Sequence, residues 1–267
     1  MTEEQTISVC CERTSNPVQK VQSRTVEKWN ERWEEGKTSF HLPHVHKLLA
    51  EHSKTLINGR KGIKILFPLC GKTMDMKWLA DQGHTVIGVE ISNIAIQQFF
   101  VENNIEYTIN HVDGLVKGEV YQQRLTYNKG RSLYNVLNET VTIPTKHEHF
   151  QNIKFDQKRI YDIIGQVDAI WDRAAFSAIM PSEREKYRDV IISTMNAYTR
   201  YCLIGVDFDP SVKPGPPYHA PEVAVEQTFG AHLTIEKIGE MADLREKWVK
   251  MGHKYFTDIL FLLSLKA

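Results

Sequence analysis

Apolar residues fall in two alternating rhythms along the chain. Short continuous runs at Ile63–Phe67, Thr85–Val89, Val167–Trp171 and Tyr201–Val206 have the length and the β-branched or aromatic content of buried strands. Between them, apolar positions recur every three or four residues, the spacing of an amphipathic helix. That spacing predicts helices over Val26–Glu35, on Val26, Trp29 and Trp33, and over Pro43–Asn58, on Val45, Leu48, Leu49, His52 and Leu56. It predicts a third over Thr73–Asp81 on Met74, Trp78 and Leu79, and a fourth from Ser92 to about Asn103 on Ile94, Ala95 and Phe99. A capping box, Ser182-Glu183-Arg184-Glu185, opens another whose inward face is Tyr187, Val190, Ile191, Met195 and Tyr198. Ile105–Asn110 reads as a short third strand, Glu222–Phe229 as a helix, and Leu233–Ile238 and Thr257–Leu263 as closing strands around a charged helical piece at Arg245, Glu246 and Lys247. Strands alternating with helices predict an α/β fold: one Rossmann-like, doubly wound, mostly parallel sheet.

The candidate chemistry lies between Ile63 and Phe100. Pro68-Leu69-Cys70-Gly71 breaks the first strand into a tight turn, a helix follows, and the second strand finishes on Glu90. Ligands of open parallel sheets bind beyond the carboxyl ends of the strands, and an acidic residue about 20 positions after the glycine turn accepts hydrogen bonds from a ribose diol. Glu90 has that position. A dinucleotide needs three spaced glycines to approach its pyrophosphate, and this turn has only Gly71, which disfavours a nicotinamide dehydrogenase. Gly71-Lys72-Thr73 resembles half of a P-loop, but Leu66 stands where that loop needs its first glycine. The pattern therefore points to a cofactor with adenosine and no phosphate, S-adenosylmethionine. Asp172-Arg173 leaves a later strand at the same edge, which makes both residues candidates.

Composition narrows this only a little. The 267 residues carry 33 lysines and arginines against 33 aspartates and glutamates, so no basic field invites nucleic acid. Cys10, Cys11, Cys70 and Cys202 form no paired framework and read as reduced thiols of a cytoplasmic protein; Cys70 reads as core filling rather than a nucleophile. No signal peptide and no membrane-spanning run is evident. His41, His44 and His46 lack a metal-ligand spacing, so no metal is assigned. Residues 1–22 read as a disordered tail and 23–267 as a single domain, with an insertion at about 111–150 that holds a hairpin turning at Asn128-Lys129-Gly130. Pro210–Pro221, with five prolines, is a stiff loop at a strand end.

Several motifs in one order resemble the thiopurine S-methyltransferase family: Trp29 through Trp33, Gly36-Lys37-Thr38-Ser39-Phe40-His41, Phe67-Pro68-Leu69-Cys70-Gly71-Lys72, Gly88-Val89-Glu90-Ile91-Ser92, Ile170-Trp171-Asp172-Arg173, Asp209-Pro210 and Pro214-Gly215-Pro216-Pro217. The resemblance covers nearly everything after Thr25 except the middle insertion. It implies a seven-stranded class I methyltransferase sheet with an N-terminal helical lid, a monomer, and S-adenosylhomocysteine as coproduct. Carried over, Trp29, Trp33 and Phe40 form the cofactor lid, Leu69 and Gly71 line the methionine end, Glu90 holds the ribose, and Ile91 packs on the adenine, with a further contact at Ile153 and Lys154. Phe40, Arg173, Arg245, Pro216 and Pro217 face a small-molecule thiol substrate, and Arg173 also reaches the cofactor.

The expected reaction moves a methyl group from a sulfonium to the sulfur of a thiopurine or another aromatic or heterocyclic thiol. The sulfonium is already activated, so alignment and exclusion of water carry most of the catalysis. Arg173, helped by Arg245, is expected to stabilise the anionic acceptor. Asp172 is either a proton acceptor, directly or through water, or a structural carboxylate that orients Arg173 or ties the strand end to the next helix. A related enzyme for sulfide, selenide or halide, and a non-catalytic cofactor-binding protein, are the alternatives.

Overall fold

The computed structural model describes residues 28–111, 118–123, 134–139 and 164–266. Expectations for the 1–22 tail, for Ile153 and Lys154, and for the Asn128-Lys129-Gly130 turn lie outside them. The element order begins with helix α1 (28–34), α2 (Lys47–Ile57), β1 (Lys64–Phe67), α3 (Met74–Asp81), β2 (Thr85–Glu90), α4 (Asn93–Glu102) and β3 (Tyr107–His111). It continues with β4 (Gly118–Gln123), β5 (Tyr134–Glu139), β6 (Ala169–Arg173), α5 (Ala175–Ala178) and α6 (Arg184–Ser193). Then come β7 (Arg200–Phe208), α7 (Glu222–Phe229), β8 (Leu233–Ala242), α8 (Glu246–Lys250) and β9 (Phe256–Leu265).

The strands form one sheet in the order β3-β4-β5-β2-β1-β6-β7-β9-β8. Its centre, β5-β2-β1-β6-β7, is parallel, and both flanks are antiparallel. Seven strands run from β5 to β8, and β3 and β4 extend the sheet to nine; the expected third strand, Ile105–Asn110, overlaps β3 at the edge, and β5 takes the place beside β2. Within the stretch expected as an insertion, β5 pairs in parallel with β2 from Val86↔Tyr134 to Glu90↔Asn138. Among the described residues the short strand after α4 pairs with β4 alone and lies at the edge.

Side chains alternate across a pleated strand, so one run serves two cores. Leu66, Ile170 and Leu203 pack with Phe176, Tyr187, Val190, Ile191, Val225 and Phe229 of α5, α6 and α7. Ile65, Phe67, Trp171 and Ile204 pack on the other face with Leu48, Leu49, Met76, Leu79, Ile96 and Phe99 of α2, α3 and α4. Gly205 in β7 lets a second strand-like segment press close. A Cβ there would stand 2.6 Å from the Ala220 carbonyl oxygen, and Val206 and Ala220 exchange backbone hydrogen bonds of 2.9 Å.

The expected capping box at Ser182 does not form. Pro181–Glu183 is a 3₁₀ turn, α6 begins at Arg184 without a side-chain cap, and it ends at Ser193. The helical period therefore stops short of Tyr198, which is 82% exposed rather than inward.

Candidate active site

The turn after β1 is shaped by two left-handed residues, Leu69 at φ 44° and Gly71 at φ 54°. Gly71 is needed for a second reason: a Cβ there would lie 3.3 Å from Cζ2 of Trp33. The turn docks on the end of β2, with the Cys70 N–H donating to the Val89 carbonyl at 2.9 Å and the Gly71 N–H donating to Glu90 Oε2 at 2.7 Å. Glu90 Oε1 accepts from the Ile91 and Ser92 N–H groups, each at 2.9 Å. Glu90 is only 6% exposed, and burial pushes its carboxyl up while these three N–H donors pull it back. Oε2 takes one bond among the described residues, which leaves acceptor capacity for a pair of hydroxyls. The Lys72 ammonium is held by Glu102 at 2.6 Å, so the turn offers backbone and carboxylate rather than a cation. That set suits an adenosine without phosphate. The Cys70 thiol is pushed up by burial and then by the Glu90 charge, which leaves it as core filling.

α1 and the segment after it form the cover. Trp29 and Trp33 both meet Phe40 edge-on, with ring centroids 5.2 and 5.4 Å apart, and Trp33 is buried against Gly71. Two basic side chains, from the end of β6 and from α8, tie this cover down. Arg173 Nη1 donates to the Phe40 carbonyl at 3.1 Å, and Lys247 Nζ donates to the Ser39 carbonyl at 2.6 Å. His41 is lowered from 6.5 to about 4, by burial first and then by Lys72 and Arg173, so its imidazole is neutral at neutral pH.

Asp172 and Arg173 are neighbours at the end of β6 and lead in different directions. Asp172 is 0% exposed; its Oδ2 accepts from the hydroxyls of Tyr187 at 2.6 Å and Tyr201 at 2.8 Å, and its Oδ1 from the Phe176 N–H at 3.1 Å. Burial raises its carboxyl against these donors. Both oxygens are taken up by protein donors, which favours the structural carboxylate over the proton acceptor. Arg173 instead faces Phe40 and a buried polar network. Asp75 Oδ1 accepts from the His46 N–H at 2.8 Å and its Oδ2 from Trp171 Nε1 at 2.9 Å, while His46 Nε2 lies 3.1 Å from Asp258 Oδ2. Burial is the main influence lowering Arg173, and the charges of Asp258 and Asp75 oppose it. Arg245 pairs with Asp243 at 2.7 Å, and its charge is felt at Arg173.

A sequence model described as Thiopurine S-methyltransferase (TPMT) matches residues 24–130 and 137–264. The chain belongs to the thiopurine S-methyltransferase family. Thiopurine S-methyltransferase of Rattus norvegicus is 34% identical over 249 residues, covering 93% of this chain and 95% of that protein. The Felis catus enzyme is 33% identical over 266 residues, covering all of both chains. Among solved structures, an S-adenosylmethionine-dependent methyltransferase from Anabaena variabilis is 13% identical, with a TM-score of 0.58 over 98% of this chain and all of its own. A Burkholderia thailandensis N1-methyltransferase, solved with S-adenosylhomocysteine and 1,6-didemethyltoxoflavin bound, gives 0.54 at 10% identity over 97% and 99% of the two chains. At that identity the structures bear out the fold, a class I methyltransferase sheet.

In this thiopurine S-methyltransferase family member, direct contacts run from Glu90 to Gly71, Trp33, Phe40 and Arg173, with Trp29 beside Phe40 and with Leu69 and Ile91 adjoining the ends of the Gly71–Glu90 bridge. Pro216 is fixed by the Lys213 ammonium donating to its carbonyl at 2.9 Å, and Tyr218, just past Pro217, donates its N–H to Ser177 at 2.6 Å. No hydrogen bond or ion pair joins Pro216, Pro217 or Arg245 to that line among the described residues. Sequence reasoning missed Lys247, Asp75, His46 and Asp258. Lys247 read as one charge of a charged helical piece, and the other three come together through contacts between residues far apart in the chain.

Proposed function

We infer that the chain transfers a methyl group from S-adenosylmethionine to the sulfur of thiopurines or other aromatic and heterocyclic thiols. The observation that carries this is the unbroken line from Glu90 to Arg173: one cover, Trp33 and Phe40, touches both the nucleoside end and the anion-stabilising guanidinium. When bound, the cofactor supplies a methyl group already activated on a sulfonium. Glu90 holds the ribose diol, Leu69 and Gly71 line the methionine end, and Ile91, with Ile153 and Lys154, borders the adenine. Trp29, Trp33 and Phe40 exclude water, which strengthens every charge interaction beneath them. Arg173 stabilises the developing thiolate by charge-assisted hydrogen bonding, with Arg245, Pro216 and Pro217 bounding the acceptor.

Residues 23–267 act as one methyltransferase domain in this reading, working as a cytoplasmic monomer without nucleic-acid partners. Among the described residues no helix is long and apolar enough to cross a membrane. The test is methyl transfer to a panel of thiopurines, aromatic thiols, aliphatic thiols, sulfide, selenide and halides, with cofactor binding followed by calorimetry. Turnover concentrated on heterocyclic and aromatic thiols supports the reading. Turnover confined to inorganic anions, or cofactor binding with no turnover at all, contradicts it.

A further inference from the structure

With Asp172 enclosed, nothing yet described receives the proton of an un-ionised thiol. Three parts of the molecule meet at the Lys247 side chain. Its ammonium nitrogen donates to the Ser39 carbonyl of the cover, and it lies 4.2 Å from the centre of the Trp248 ring. It also lies within the fields of Arg173 at the end of β6, Arg245 and Asp243 before α8, and Lys213 of the proline loop. Trp248 is buried and stacks on Phe256 at 4.5 Å, so the Lys247 nitrogen stands over a rigid ring pair.

We propose that Lys247 is a catalytic residue of this site, the amine that takes up the proton of the acceptor thiol. The proposal rests on the methyltransferase reading above. The S–H bond breaks and its proton moves to the Nζ lone pair. The sulfur keeps the electron pair and forms the new bond to the methyl carbon as the sulfonium C–S bond breaks, leaving two neutral thioethers and an ammonium that later loses its proton to water. Before transfer, the new ammonium is a counter-ion to the thiolate beside Arg173 and Arg245.

The chemistry of the neighbours makes the amine able to do this at neutral pH. Burial first, then the like charges of Arg245, Arg173 and Lys213, bring Lys247 from 10.5 down to about 7, with Asp243 opposing. A proton acceptor works best when its own ionisation lies near the operating pH. His41, at the end of the cover, is depressed to about 4 and is too weak a base to compete.

The test uses the full chain with S-adenosylhomocysteine bound, so that no turnover occurs, and 6-mercaptopurine as the probe. Two quantities are read: the thiolate absorbance of the bound probe against pH, and the protons exchanged on binding, from calorimetry in buffers of different ionisation enthalpy. In Lys247→Gln the ionisation midpoint of the bound probe is expected to rise by about one pH unit or more, as an opposite charge is lost from its side. In Lys247→Arg the midpoint stays low, but at about pH 8, where most of the wild-type amine is neutral, protons that the wild type retains are released to the buffer. Unchanged midpoint and proton balance in both variants, each still binding S-adenosylhomocysteine as tightly as the wild type, would overturn the proposal. A wild-type chain that binds neither ligand overturns the methyltransferase reading and the proposal together.

Discussion

Two adjacent residues of one strand show how far burial redirects similar chemistry. Asp172 has both oxygens filled by Tyr187, Tyr201 and the Phe176 N–H, whereas Arg173 reaches the cover. Asp172→Asn therefore leaves cofactor affinity and the rate per folded molecule near wild type but lowers stability by about 1–3 kcal/mol, the cost of disturbing a buried hydrogen-bonded group. Denaturant unfolding alongside steady-state kinetics separates the two effects; a large fall in rate at unchanged stability would restore the proton-acceptor role. Glu90→Gln keeps the shape and loses the charge, and it is expected to weaken S-adenosylmethionine by about 1.5–3 kcal/mol, roughly tenfold to a hundredfold. Calorimetric titration reads that directly, and equal affinity contradicts the ribose assignment. His41 sets a pH limit. Its protonation is depressed in the folded chain, so its contribution to stability is fully present above 6.5 and is lost as pH falls towards about 4. A variant His41→Gln is expected to flatten that part of the curve of melting temperature against pH, while a slope identical to the wild type would show that the imidazole is not the group responsible.

At the scale of elements, what the sequence made legible follows from how local the cause is. α7 has the predicted bounds, Glu222–Phe229, because its start after Pro221 and its stop at Gly230 are both written in the chain. β1, β2, β6 and β7 were legible as apolar runs, since a parallel strand is covered on both faces. β5 was legible only as one arm of the hairpin around Asn128-Lys129-Gly130, and its place in parallel beside β2 was not, because that pairing joins residues distant in the chain. Glu90 and Gly71 were legible for the same local reason as α7, and the enclosure of Asp172 was not, because Tyr187 and Tyr201 reach it from another helix and another strand. Close approaches belong to this scale too. Gly205→Ala would set a methyl group 2.6 Å from the Ala220 carbonyl oxygen and is expected to cost about 1–3 kcal/mol by overpacking. Thermal unfolding checks it, and a melting temperature equal to the wild type's would mean that β7 and the Ala220 segment part without cost.

For the whole molecule, the sheet brings residues from four regions of the chain to one edge: the cover at Trp29–His41, the turn at Leu69–Gly71 with Glu90, the β6 end at Arg173, and the α8 region at Arg245 and Lys247. Both cores must be intact for these to meet, since β6 carries Trp171 to one face and Ile170 to the other while it aims Arg173 at the cover. In the proposed reaction this edge moves a methyl group from S-adenosylmethionine to a thiol under the control of Arg173. Single-turnover transfer of a labelled methyl group to 6-mercaptopurine at saturating cofactor tests this, comparing the wild type with Arg173→Ala and identifying the product by mass spectrometry. S-methylation by the wild type is expected, with a rate about a hundredfold lower in the variant, the scale of losing one preorganised donor to developing charge. An equal rate in both, or methyl found on nitrogen rather than sulfur, contradicts it.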